Sequence, residues 1–221
     1  MNVVETLRLG EAVVRVLLDS EQTSEIHVAE ELTGRIAFAG FRDTLFQGAE
    51  GRALLADRAE LCSKQVDFDA LRRLPAESLG HGYVAHLDRH GLSADSQATA
   101  TRYVEDEEVA YLMRRFRQTH DVWHALTGLG TAGHEEVLLH AFSFGQLRLP
   151  VSAMVMFFGG IKHMVLEARW GTLRSGMLEA WRSGRDAAPL LPVYWERHWP
   201  DSMAEVRTRL GLSPSDRLGF A

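Results

Sequence analysis

At 221 residues the chain has the length of one large domain or two small ones, enough to bury a substantial core. Its 46% hydrophobic and 24% charged residues are the balance of a soluble globular protein, and a net charge of −6 argues against a broad nucleic-acid-binding surface. Cys62 is the sole cysteine, which excludes an intrachain disulfide or a cysteine-based zinc site and fits a reducing compartment.

The N-terminal stretch MNVVETLRLGEAVVRVLL carries Glu5 and Glu11 and matches neither a signal peptide nor an Arg/Ser-rich transit segment, so the expected location is cytoplasmic. Helical periodicity then dominates. Residues 3–18 place Val3, Leu7, Val14 and Leu17 near one stripe, and 28–46 form a second amphipathic candidate. QGAEGR at 47–52 reads as a turn into a third helix, ALLADRAELC, and a fourth is expected over 78–90, stopped by Gly91. The longest spans 104–127, opening on acids that suit the positive end of a helix dipole and stopping at Thr127-Gly128. Another runs from about 132 to 147. After Pro150 an apolar segment is expected to continue as one helix to about Trp181. A Pro-rich irregular tail, in which Trp195 and Trp199 pack, precedes a last helix over 201–210. No strand alternation or repeat is visible. The expectation is an all-α, single-domain helix bundle over residues 1–221.

The run Leu149–Ile161, LPVSAMVMFFGGI, is too short for a bilayer, which needs about 20 helical residues. It reads first as a buried core helix, and otherwise as a surface dipping into lipid or the lining of a pocket for an apolar ligand.

The sequence HDVWH carries the chemistry. Successive helical residues turn by about 100°, so Met113, Phe116, His120 and His124 form a slowly drifting row on the face that turns inward. Burying two imidazoles and the Asp121 carboxylate without partners is costly, and a divalent cation would satisfy all three. The next helix returns after a short turn and offers Glu136 as a fourth ligand, with His140 one turn further as either an auxiliary ligand or a hydrogen-bond donor behind the ligands. The alternative is a solvated histidine pair with Asp121 bound to Arg117 one turn earlier. The pattern lacks the catalytic glutamate of the H-E-x-x-H zinc proteases. His81, His86, His90, His163 and His198 look scattered, as ordinary polar residues.

HDVWHALTG followed by Glu136 resembles the H-D-x-x-H-x11-E signature of the coenzyme Q biosynthesis protein 4 family. YVEDEEVAYLMRRFRQTHD is similar to the stretch leading into that signature, LRRLPAESLGHGYVAHLDRHGLSAD to an earlier segment, and LPVSAMVMFFGGIKH to the apolar segment after it. PVYWERHWPDSMAEVRTRLGL resembles the family's C-terminal end, and EGRALLADR is a weaker match, so the likeness spans residues 50–212. One departure is GGI before Lys162, where relatives commonly carry a proline and then an arginine.

The resemblance implies a helical protein of ubiquinone biosynthesis. Its metal ligands would be His120, Asp121, His124 and Glu136, and its reaction the oxidative decarboxylation of a prenylated 4-hydroxybenzoate-type ring. Two imidazoles and two carboxylates permit zinc, the first choice, and equally manganese or iron. Met154, Met156, Phe157 and Phe158 are then expected to line a channel for the prenyl tail, with Gly159 and Gly160 allowing close approach and Lys162 meeting the ring carboxylate. The implied partners are a prenylated benzoate or quinone lipid, other coenzyme Q biosynthesis proteins and a membrane surface touched peripherally, with a homodimer left open. Two other readings stand beside this one: a prenyl-lipid-binding scaffold without catalysis, and an unrelated metal-dependent hydrolase on a helical bundle.

Overall fold

The computed structural model describes residues 2–18, 23–97, 101–166 and 170–212; the side chains of 16–18, 23, 97, 162–166, 170 and 172 fall outside it. Among the described residues there are ten α-helices and no strand, only an isolated bridge between Ser78 and Ser202. The all-α expectation holds.

Helices α1 (Val3–Leu18) and α2 (Thr23–Leu45) form an antiparallel pair. Of the expected stripe on α1, Val3, Leu7 and Val14 face outward at 76%, 70% and 53% exposed, and the side chain of Leu17 lies outside the described residues. Ion pairs hold the helix instead, with Glu5 on Arg35 and with Arg8 and Arg15 both on the buried Glu25. Helix α2 begins five residues before its expected start and turns Leu32 and Phe38 into the core.

Helix α3 (Ala49–Asp57) starts inside the stretch expected to be a turn. Gly51 is helical there because the backbone of Phe46 lies against it, leaving no room for a Cβ. Arg58, at φ 51°, ends the helix before the expected ELC. The short α4 (Phe68–Arg72), capped by Asp67 accepting from Ala70 N, was not expected from periodicity.

The next boundaries follow local chemistry. Helix α5 (Leu79–His90) has Ser78 as its cap and Gly91 in the left-handed region at its end. Helix α6 (Glu107–Thr127) starts three residues later than expected, because the Asp106 carboxylate accepts from Glu108 N and Val109 N. Gly128 closes it, donating to the His124 carbonyl. Helix α7 (Gly133–Leu147) follows, with Glu135 accepting from the amides of Gly130 and Ala132.

Helices α8 (Pro150–Leu166) and α9 (Trp170–Asp186) correct the expectation of one long helix. Met156 and Leu178 line the same cavity, whereas in a straight helix 22 residues would separate them by about 33 Å. Both helices pack on α7. The α7–α9 crossing is glycine against glycine: a Cβ on Gly184 would collide with the Phe142 backbone, and one on Gly145 with the backbone of Trp181 and Arg185.

The C-terminal segment, ending in α10 (Met203–Leu210), clasps the start of α5. Leu79 N and Gly80 N donate to the carbonyls of Asp201 and Trp199. Trp199 stacks on Tyr83 at 5.5 Å, Trp195 is buried, and buried Arg115 of α6 grips Glu196 with two bonds of 2.6 and 2.7 Å. No helix among the described residues is long and apolar enough to cross a membrane.

Candidate metal centre

The short turn between α6 and α7 brings Glu136 over the two histidines one helical turn apart. His120 Nε2 lies 3.3 Å from Glu136 Oε2, His124 Nε2 lies 3.2 Å from Glu136 Oε1, and the two Nε2 atoms are 3.2 Å apart. Among the described residues this is the trio of His, Cys, Asp or Glu ligand atoms that gathers closely enough to hold an ion.

Hydrogen bonding fixes what these atoms offer. His124 Nδ1 faces the Leu129 carbonyl at 3.2 Å, and a carbonyl accepts only, so Nδ1 carries the proton and the neutral ring's Nε2 a lone pair. The Glu136 carboxylate is held well below its usual range: burial opposes ionisation, but the bonds to His120 and His124 outweigh it. Burial also works against a charged His120, yet Glu136 raises its pKa on balance, with Asp121 and Glu30 adding to the effect. Electron pairs thus converge with at most one proton to share. That donor set fits a divalent cation.

The other expected site residues take varied places. Asp121 is buried beside the trio without joining its close cluster; burial raises its pKa against the pull of His120 and His124. His140, one turn along α7 from Glu136, has its ring 5.8 Å from that of His120, and burial pushes it down to about 3. Its Nδ1 is 3.5 Å from Ser152 Oγ on α8.

Of the apolar residues, Met156 lines a cavity of about 880 Å³ with Phe144 of α7 and Met177, Leu178 and Trp181 of α9. Met154 packs half-buried against the core, Phe157 is 61% exposed, and Phe158 stands edge-on to it. Gly159 lets α8 close on Val137 of α7. Lys162 lies in α8, but its side chain is outside the described residues, as is that of His163.

Two histidines taken for scattered polar residues belong to this neighbourhood. His86 of α5 stacks on His124, with centroids 5.1 Å apart and planes 14° from parallel, and His90 packs on His86 at 4.7 Å. Burial, then the neighbouring His124 and His90, pushes His86 down to about 4. The i, i+4 spacing of His86 and His90 puts both on one helix face, a signal the sequence carried.

Helix α2 closes the other side. Arg117 is buried between Glu30 and Glu31, at 3.0 and 2.9 Å, and Glu30 and His27 lie within electrostatic range of His120. Burial raises Glu30 to about 7 against the pull of Arg117, and burial with Arg117 and His120 lowers His27 to about 3.

Comparison with known proteins agrees with this architecture. A solved chain from Nostoc punctiforme PCC 73102 superposes with a TM-score of 0.72 at 24% identity, covering 93% of this chain and 97% of that one, and shares the fold. Among curated proteins, "Ubiquinone biosynthesis protein COQ4, mitochondrial" of Podospora anserina is 38% identical over 177 residues, which are 79% of this chain and 58% of that protein. The protein of the same name from Phaeosphaeria nodorum is 36% identical over 211 residues, 93% of this chain and 71% of that one. The chain thus spans between about three-fifths and seven-tenths of these two relatives' length. Residues 3–216 match the family described as coenzyme Q (ubiquinone) biosynthesis protein Coq4, reaching well before the likeness that begins at residue 50 in the sequence reading. The chain belongs to the Coq4 family of coenzyme Q (ubiquinone) biosynthesis proteins.

Proposed function

We propose that the protein acts in ubiquinone biosynthesis as a metal-dependent decarboxylase of a 4-hydroxy-3-methoxy-5-polyprenylbenzoate, with a hydroxyl taking the place of the lost ring carboxylate. The observation that carries this reading is the convergence of His120 Nε2, His124 Nε2 and the Glu136 carboxylate within 3.3 Å, two helical turns along α7 from a residue of an apolar cavity.

His120, His124 and Glu136 would hold the ion, and Asp121, buried beside them, would be the fourth ligand that the resemblance to the family signature implies. Zinc is the first choice, with manganese and iron equally suited to the donors. A divalent cation held there would supply Lewis acidity for orienting the ring carboxylate and offsetting the negative charge left as carbon dioxide departs. The chain's own part is to hold that geometry: the Leu129 carbonyl fixes the His124 tautomer, and the flat face of His86 fixes its ring. Replacing carboxylate by hydroxyl is a two-electron oxidation: in this scheme the ring–carboxyl bond breaks to give carbon dioxide, water supplies the oxygen of the new ring hydroxyl, and molecular oxygen accepts the two electrons and two protons to leave as hydrogen peroxide.

The tail follows α7. Phe144 lies eight residues, about 12 Å, beyond Glu136, and opens on the cavity between α8 and α9. Exposed Phe157 and Ile161 on α8 and Leu178 on α9 form the surface that meets the membrane where the lipid is collected.

The test is direct. Protein stripped of metal and reloaded with single ions is supplied with the prenylated hydroxymethoxybenzoate and oxygen, and carbon dioxide and hydroxylated product are followed by mass spectrometry. Turnover that vanishes in Glu136→Gln supports the reading; no turnover with any ion contradicts it and leaves an organising role.

A further inference from the structure

Between the metal centre and the apolar cavity stands a polar pair that neither accounts for. His140 of α7 and Ser152 of α8 meet with Nδ1 and Oγ 3.5 Å apart. Ser152 is fully buried, and His140 is half-buried. On α7, Glu136 of the metal trio lies one turn before His140 and Phe144 of the cavity wall one turn after, all on one face. On α8, Met156 of the same cavity lies one turn beyond Ser152. The pair therefore lies one helical turn short of the cavity wall on both helices, and the ring of His140 stands 5.8 Å from that of His120.

An imidazole in such a place needs a purpose, because an apolar wall would pack there at lower cost than a polar ring. With Nδ1 engaged by Ser152, Nε2 is the atom left for a ligand. A serine hydroxyl both donates and accepts, so the ring is free to present Nε2 as acceptor or donor. His140 is not within the close group of ligand atoms formed by His120, His124 and Glu136.

We infer that His140, positioned by Ser152, is a specificity-determining residue that hydrogen-bonds the ring hydroxyl of an amphiphilic aromatic ligand, at the joint between its head and its tail. This rests on the function proposed above. If the ring carboxylate points at the ion, the hydroxyl para to it sits at the opposite end of the ring, next to the carbon that bears the tail. His140 occupies the matching place, past the metal trio and before the cavity. A phenolic O–H donating to Nε2 satisfies both partners; the methyl ether of the same phenol has no proton to give and is disfavoured.

Two probes test this: 2-dodecylphenol, whose hydroxyl adjoins the tail-bearing carbon, and its methyl ether, titrated against zinc-loaded and metal-stripped protein with tryptophan fluorescence, to which Trp181 of the cavity wall contributes, as the reporter. The native chain should bind the phenol about tenfold more tightly than the ether in both states. His140→Phe should bind the two equally, at the ether's level, while keeping its zinc content. Ser152→Ala, which leaves the imidazole in place but unanchored, should lose part of the preference, and His140→Gln, which retains a hydrogen-bonding group, should keep part of it; these two variants decide the matter if the phenylalanine variant does not fold. An undiminished preference in His140→Phe and Ser152→Ala overturns the inference and leaves the proposed function standing. Loss of the preference together with loss of zinc also overturns it, making His140 a metal ligand. A native chain that binds neither probe sinks the inference along with the reading of the cavity as a lipid site.

Discussion

The Nε2 atoms of His120 and His124 lie 3.2 Å apart, and the Glu136 carboxylate reaches both. Two imidazoles on one helix come this close only if something between them is electron-poor. In the metal-free state that role falls to a proton. Glu136 raises the His120 pKa above 6.5 against the cost of burial, so an incoming cation displaces the proton that His120 holds.

Zinc affinity should therefore climb with pH through the range above 6.5 and level off once His120 is neutral. Calorimetric titrations in two buffers of different ionisation enthalpy should show about one proton released per ion near the start of that range. Without metal the sign reverses: the raised His120 pKa stabilises the fold at low pH, and this contribution fades as pH rises through the folded-state value. Binding heats independent of buffer across this window would contradict the assignment.

His86 is expected to act through His124. Its ring lies flat on that ligand, and at a pKa of about 4 it is neutral at pH 7, so it supports the site by contact and not by charge. His86→Ala should weaken zinc binding about tenfold, in the range found for groups that orient metal ligands. His86→Phe keeps a flat ring in place and should restore most of the loss. Competition with a chromogenic chelator reads both.

Glu30 predicts a stability trend of known sign. Burial raises it to about 7, so between pH 4.5 and 7 the folded chain binds more proton at this site than the unfolded chain does, and stability drains as pH rises. Arg117 keeps Glu31 as a partner if Glu30 loses its charge. The Tm of Glu30→Gln, measured relative to the native chain, should thus improve steadily from pH 5 to pH 8. A difference that does not change with pH would refute the assignment.

The α7–α9 crossing is the most sensitive packing point. Gly184→Ala places a methyl group against the Phe142 backbone, where no side chain can yield. The helices must separate, at a cost of about 2 kcal/mol or more. For a chain of this size the Tm falls by roughly 4–8 °C. Because Phe144 and Trp181 line the cavity from these helices, uptake of 2-dodecylphenol should weaken in the same variant.

What the sequence made legible follows from how local each signal is. Boundaries written in cap chemistry could be read directly: Ser78 and Gly91 around α5, Gly128 after α6, Pro150 opening α8. The trio was legible for the same reason, since i, i+4 spacing on α6 and a short turn into α7 leave few arrangements. Signals set by tertiary packing were not. The amphipathic pattern of α1 gives a stripe but not its partner, and the ion pairs of Arg8, Arg15 and Arg35 turn Val3 and Leu7 outward. His86 and His90 share a face of α5, yet nothing local says that this face meets His124. Gly51 resembles a turn residue until the backbone of Phe46 explains it. The break between α8 and α9 carries no proline to announce it, since the chain from Leu166 to Trp170 holds none.

The central claim is that α6 and α7 together hold one divalent ion. It is tested most directly by measuring metal per chain in exhaustively dialysed, zinc-reloaded protein by inductively coupled plasma mass spectrometry, for the native sequence, His124→Ala and Glu136→Gln. One ion per native chain, falling well below that in both variants with circular dichroism unchanged, is the predicted result. A native chain that retains no ion, or variants that retain as much as the native chain, would contradict it.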